Sequence, residues 1–206
     1  MANPNPMPVV RPLCPWLVTR LASTMRDDRV RYEASLYGPL DRLLNHIFPQ
    51  EQTFLIKPQG ALRKTIDPQP VDIQPGTRAS IDSMNGPVLS RSTVAGQGRQ
   101  EVLAPDFIVV KAGPHYGDDV PLAIVEVKNH WSGNPSAEDV FQMYKYMVNI
   151  SAKSPANDFR GYLVIKRTTY VYGLPVGQNT FPPLLDTIST LEDLKGHLEI
   201  LAAAHW

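Results

Sequence analysis

The chain has 206 residues, with 20 basic and 20 acidic side chains, 43% hydrophobic residues and 8% aromatic ones. That length is enough to bury the core of one domain, and the zero net charge excludes a globally basic nucleic-acid binder while leaving room for a locally basic cleft. No apolar run approaches the roughly 18 residues that span a bilayer, which excludes an integral membrane protein of helical type.

A single cysteine, Cys14, excludes an internal disulfide framework and a cysteine-rich zinc site. Together with the lack of a basic-then-apolar leader, it sets the expectation of an intracellular protein, cytoplasmic or nuclear. Residues 1–15 hold prolines at positions 4, 6, 8, 12 and 15 and read as an extended arm; 16–206 read as one domain. From Trp16 to Phe48 the pattern is helical, with Leu40, Leu43, Leu44 and Ile47 at i, i+3, i+4 and i+7. Gly38-Pro39 is expected to divide this stretch into two helices, with Pro39 at the first position of the second.

Thr53–Lys57 is a short strand candidate. The stretch from about 58 to 100 lacks periodicity and is rich in Pro, Gly, Gln and Ser, which predicts either a long functional loop or a stretch that hides a short hairpin. Arg63, Lys64, Arg78, Arg91 and Arg99 decorate it; they can follow a phosphate backbone or simply keep a loop solvated. Val102–Lys111 and Pro121–Lys128 are β-branched runs joined by a Gly- and Asp-containing connection, the pattern of a hairpin. Ser136 is a suitable N-cap, with Asp139 three residues on, for a helix over about Ala137–Lys153. Gly161–Lys166 is a nearly continuous apolar run that suits a central strand buried on both faces. Thr169–Tyr172 is expected at a sheet edge, and Leu184–Ile188 and Leu191–Ala204 as two closing helices. The fold class expected is α/β, a mixed central β-sheet flanked by helices.

Candidate chemistry concentrates on the two runs around the hairpin. Pro105-Asp106 opens one, and Glu126-Val127-Lys128 closes the other. Side chains alternate along a strand, so Glu126 and Lys128 share a face while Val125 and Val127 take the other. If the strands pair, Asp106 approaches Glu126. Two hard carboxylates and a nearby backbone carbonyl suit a magnesium ion that keeps several waters, and a lysine beside them can orient or polarise a water. The plainer account is two strand-end carboxylates and a solvated lysine.

This pattern resembles the PD-(D/E)XK nuclease superfamily, over roughly Thr53 to Lys166 and the preceding helix. The resemblance implies a restriction-endonuclease-like core and metal-dependent hydrolysis of phosphodiester bonds in nucleic acid, DNA rather than RNA. It implies Asp106, Glu126 and the Val127 carbonyl as ligands of Mg²⁺ or Mn²⁺, and Lys128 as the group serving the attacking water. Gln142 and Tyr146, one turn apart on the helix after Lys128, look like the extra Gln/Tyr motif of RecB-like nucleases and are expected on a polar face with Glu138 and Asn149. Val140, Met143, Tyr144 and Met147 are expected on the opposite, apolar face. Many members of the superfamily add an acidic residue on the first helix, for which Glu33 is the choice among Asp27, Asp28 and Asp41. His130, just past Lys128, is a further substrate-contact candidate, although a surface histidine at a strand exit is the plainer reading.

The remaining histidines, His46, His115, His197 and His205, share no metal-ligand spacing. No phosphate-binding Gly-rich loop and no nucleophile elbow is present. A rival reading keeps the same fold as a catalytically inactive module that binds nucleic acid or protein. A homodimer or a larger assembly stays open, and no membrane partner is expected.

Overall fold

The computed structural model describes residues 12–26, 34–58, 104–115, 117–128, 133–151, 153, 155–174 and 181–206. All of them belong to one unit, assembled from the chain up to Leu62 and from Leu103 onward. The proposed 1–15 arm (up to residue 11) and the 58–100 loop (from residue 59) lie outside the described residues.

The architecture is α/β: a six-stranded mixed sheet with helices on both faces. In chain order the elements are α1 (Pro15–Arg26), α2 (Ala34–Ile47), β1 (Phe54–Pro58), β2 (Phe107–Lys111), β3 (Val120–Lys128), α3 (Ala137–Ser151), β4 (Arg160–Ile165), β5 (Thr168–Tyr172), β6 (Leu184–Ile188) and α4 (Leu191–Ala203). The strands lie side by side in chain order. Every neighbouring pair is antiparallel except β3 and β4, which are parallel. Parallel neighbours need a crossover, and α3 supplies it. No helix among the described residues is long and apolar enough to cross a membrane.

Strand alternation divides the core in two. Phe107, Val109, Val125, Val127, Tyr162, Val164 and Val171 face a cluster with apolar residues of α1, α2 and α4, including Leu21, Leu43 and Leu198. Ile108, Val110, Ile124, Leu163, Ile165 and Tyr170 face the opposite cluster, with Met143, Tyr146, Met147 and Ile150 of α3. A bulge in β3 breaks the alternation: Val109 pairs with Ala123 and Val110 with Pro121, so Leu122 is the extra residue. Leu122 and Ala123 therefore both enter the first cluster. Pro121, which has no N–H to give, sits next to that irregularity.

Two features hold α3 in place. Ser136 Oγ accepts a hydrogen bond from the Asp139 N–H at 3.2 Å, and Asp139 Oδ2 accepts from the Ser136 N–H at 2.7 Å, completing the capping box the sequence predicts. Gly161 of β4 lets the helix come close: a Cβ there would stand 2.9 Å from both Met143 Sδ and Met147 Sδ.

Four expectations are corrected. Pro39 lies inside α2 and does not start it. It costs one hydrogen bond, and Gly38 before it has no Cβ to meet the proline ring. Leu184–Ile188 is strand β6, paired with β5, and not a helix. The six residues between Pro183 and Thr190 are too few for a stable helix, because Thr190 is itself the N-cap of α4, accepting from the Asp193 N–H at 3.1 Å. With β6 present, β5 is interior and buried along most of its length, not an edge. Finally, β2 begins at Phe107, so Asp106 sits just ahead of the strand.

Gly161→Val is expected to destabilise the fold by about 1–3 kcal/mol through overpacking against the two methionines, and by more than Gly161→Ala does. Denaturant titration of both variants checks this; equal stability of the valine variant and the wild type would mean that α3 is not held close to β4.

Candidate active site

The hairpin register decides what meets what. Phe107 pairs with Val125, so Asp106, one step outside β2, falls beside Glu126. The two residues are laced together: the Asp106 N–H donates to Glu126 Oε2 at 3.2 Å, and the Val127 N–H donates to Asp106 Oδ2 at 2.7 Å. Asp106 thus uses its side chain where a strand would use its backbone carbonyl, and caps the ladder at this end.

Glu126 sits on the α3 side of β3 and is only 4% exposed. Lys128, two residues on and on the same face, places Nζ 2.8 Å from Glu126 Oε1. From α3, Gln142 Nε2 donates to that same oxygen at 3.0 Å. Its other hydrogen serves the Tyr146 hydroxyl, which donates in turn to the Ala104 carbonyl at 3.3 Å. The network therefore links the approach to β2, the end of β3 and one face of α3.

Burial pushes the Glu126 carboxyl up to about 7, and the negative charge of Asp106 pushes it the same way. The Lys128 ammonium and the Asp106 N–H pull it down without cancelling the rise. The Tyr146 hydroxyl is also raised, by burial first and then by the charge of Glu126, so it stays protonated and acts as a neutral donor and acceptor.

Asp106, Glu126, Lys128, Gln142 and Tyr146 are thus brought together. Val127 lies in the same ladder, its N–H taken up by Asp106. Glu33 and His130 lie outside the described residues. One expectation needs correction: Gln142 and Tyr146 do not lie opposite Met143 and Met147. Asp139, Met143, Tyr146, Met147 and Ile150 form one buried stripe, and Tyr146 is 1% exposed. Glutamine and tyrosine read as polar by type, but α3 packs them inward because a buried carboxylate is there to receive them. The Ala104 carbonyl was not foreseeable, since a backbone acceptor has no residue-type signal. Among the described residues no group of three or more His, Cys, Asp or Glu side chains is placed to hold a metal ion; the carboxylates here are the pair Asp106 and Glu126.

Two outcomes follow from this geometry. Between about pH 4.5 and 7 an unfolded chain has released the Glu126 proton while the folded chain still holds it. The folded state then binds more protons, so this contribution to stability is full below the lower value and is lost as pH rises toward the upper one. With a chelator present, the stability difference between wild type and Glu126→Gln should change across that window by no more than about 3 kcal/mol. Parallel pH profiles of the two proteins would contradict the raised value. Tyr146→Phe, which strips a buried hydroxyl from Gln142 and Ala104, should cost about 1 kcal/mol in thermal or urea unfolding; an unchanged stability would mean that the hydroxyl is solvated.

No protein-family model matches the chain, nor does any curated protein or solved structure.

Proposed function

We propose that the chain is a metal-dependent nuclease with a restriction-endonuclease-like core that hydrolyses phosphodiester bonds, with DNA as its substrate. The observation that carries this reading is a buried carboxylate, Glu126, laced to a second one, Asp106, and touched by both Lys128 and Gln142. Burial first, and then the neighbouring Asp106 charge, hold the Glu126 carboxyl above the usual carboxylate range. A cation is the natural remedy for the repulsion between the two carboxylates.

The donor set fits Mg²⁺ or Mn²⁺ in part: the carboxylates of Asp106 and Glu126 and the Val127 carbonyl are hard oxygens of the kind such ions take, with waters filling the remaining positions. When bound, the ion would supply stabilisation of charge developing on the phosphate and a lowered pKa for water. The chain's own residues do the rest. Glu126 would hold the ion in its carboxylate form. Lys128, anchored by Glu126, directs an attacking water toward phosphorus and keeps positive charge beside the reacting oxygens. Gln142 fixes the rotamer of Glu126, and Tyr146 fixes Gln142. Glu33 and His130 are proposed, respectively, as an additional ligand and a substrate contact.

The second reading, an inactive module of the same fold that binds nucleic acid or protein, draws support from one observation. Among the described residues the two carboxylates gain no third acidic, histidine or cysteine ligand.

The readings separate in a single set of measurements. Calorimetry should give Mn²⁺ binding to the wild type that is lost in Asp106→Ala and Glu126→Ala. Lys128→Ala should keep the ion yet lose cleavage of labelled DNA by a factor on the order of 100 or more. Metal binding that is identical in all four proteins, or DNA cleavage that persists in EDTA, would remove the nuclease assignment.

A further inference from the structure

The outer face of α3 carries a feature that neither the fold nor the carboxylate pair requires. Phe141 is 47% exposed and Phe181, just ahead of β6, is 61% exposed. Tyr144 lies between them: its ring stacks on Phe141 with centroids 6.0 Å apart and planes at 24°, and meets Phe181 at 5.0 Å and 40°. Lys145 holds its ammonium 5.0 Å from the Phe141 ring centroid. Two distant chain segments thus build one row of three rings with a cation beside it. Core demands do not explain the row, because α3 meets the sheet through Met143, Tyr146, Met147 and Ile150.

We infer that this row is a base-stacking platform for single-stranded DNA, serving the site proposed above and resting on that reading. Flat aromatic faces stack any base, and a neighbouring ammonium takes the phosphate that follows it. Charge placement favours DNA over a protein partner, since the buried centre of a protein interface is depleted of charge whereas Lys145 sits on the rings themselves. The strand must be unpaired, because bases in a duplex are already stacked on each other. Phe141 also directly precedes Gln142, so the platform lies about 100° around the helix axis from the side chain that holds Glu126.

The test is fluorescence anisotropy of a short labelled oligothymidine with the full chain in EDTA, where no cleavage occurs, beside a duplex of equal length. Wild type should prefer the single strand. Phe141→Ala and Phe181→Ala should each weaken that binding about tenfold, with unchanged thermal melts, while leaving duplex affinity unaltered. Unchanged single-strand affinity in both variants, or no binding by the wild type, overturns the platform. So does a dimer in sedimentation that Phe181→Ala dissociates while oligothymidine affinity stays the same, since the rings would then be a protein interface. The two readings fail separately: variant-sensitive binding without Mg²⁺- or Mn²⁺-dependent cleavage leaves the platform and removes the nuclease, whereas cleavage with variant-insensitive binding does the reverse.

Discussion

A carboxylate buried between a sheet and a helix is the constraint on which this structure turns. Taking an ionised carboxylate out of water costs several kcal/mol unless partners replace the lost solvation. Around Glu126 three donors do so: the Asp106 N–H, the Lys128 ammonium and the Gln142 amide. Each comes from a different segment, so the approach to β2, the end of β3 and the middle of α3 must all be in register before the charge is tolerated. The compensation is incomplete. Asp106 brings a second negative charge with its N–H, and Glu126 is left with a carboxyl that titrates near neutrality.

The position of α3 follows from contacts on the far side of that carboxylate. Gly161 opens a shallow place in β4, and the sulfur atoms of Met143 and Met147 fill it. Methionine is flexible enough to settle there without strain. The Ser136–Asp139 box fixes where the helix starts, and the Gly161 contact fixes which face meets the sheet. Gln142, between two packed turns, is thereby aimed at Glu126. Its partner Tyr146 uses a full ring to pack and only its hydroxyl to bond, which is how a polar network is kept inside an apolar cluster.

Much of this was legible in the sequence because it is written in local patterns. Alternation around Glu126-Val127-Lys128 assigns the faces of β3 correctly, and the capping residues give the start of α3 to the residue. Pairing of β2 with β3 follows from two β-branched runs and a turn-rich connection. What was not legible depends on tertiary context. Pro39 reads as a helix start, yet packing of Leu36, Leu40, Leu43 and Leu44 into one core outweighs a single lost hydrogen bond. Leu184–Ile188 is too short for its periodicity to choose between helix and strand, and the free edge of β5 makes the choice. The inward face of α3 is not legible because residue type says that Gln and Tyr are polar, while only the position of Glu126 says that polarity is wanted inside.

The polar inner face of α3 exists for a purpose other than packing. A leucine or methionine at position 126 would suit the cluster formed by Ile124, Met143 and Leu163, and replacing buried ionic groups by apolar ones of similar size is often neutral or stabilising. Stability alone therefore gives no reason for a glutamate here, still less for a second carboxylate laced to it and a glutamine and tyrosine recruited to hold it. Local conflict of this kind is expected where a fold serves chemistry at the expense of its own packing. The same helix that resolves the conflict on its inner face carries Phe141, Tyr144 and Lys145 on its outer one. Because the cap and the Gly161 contact both position α3, the outer rings and the Gln142 side chain that holds Glu126 keep the relation set by the helix, about 100° apart around its axis.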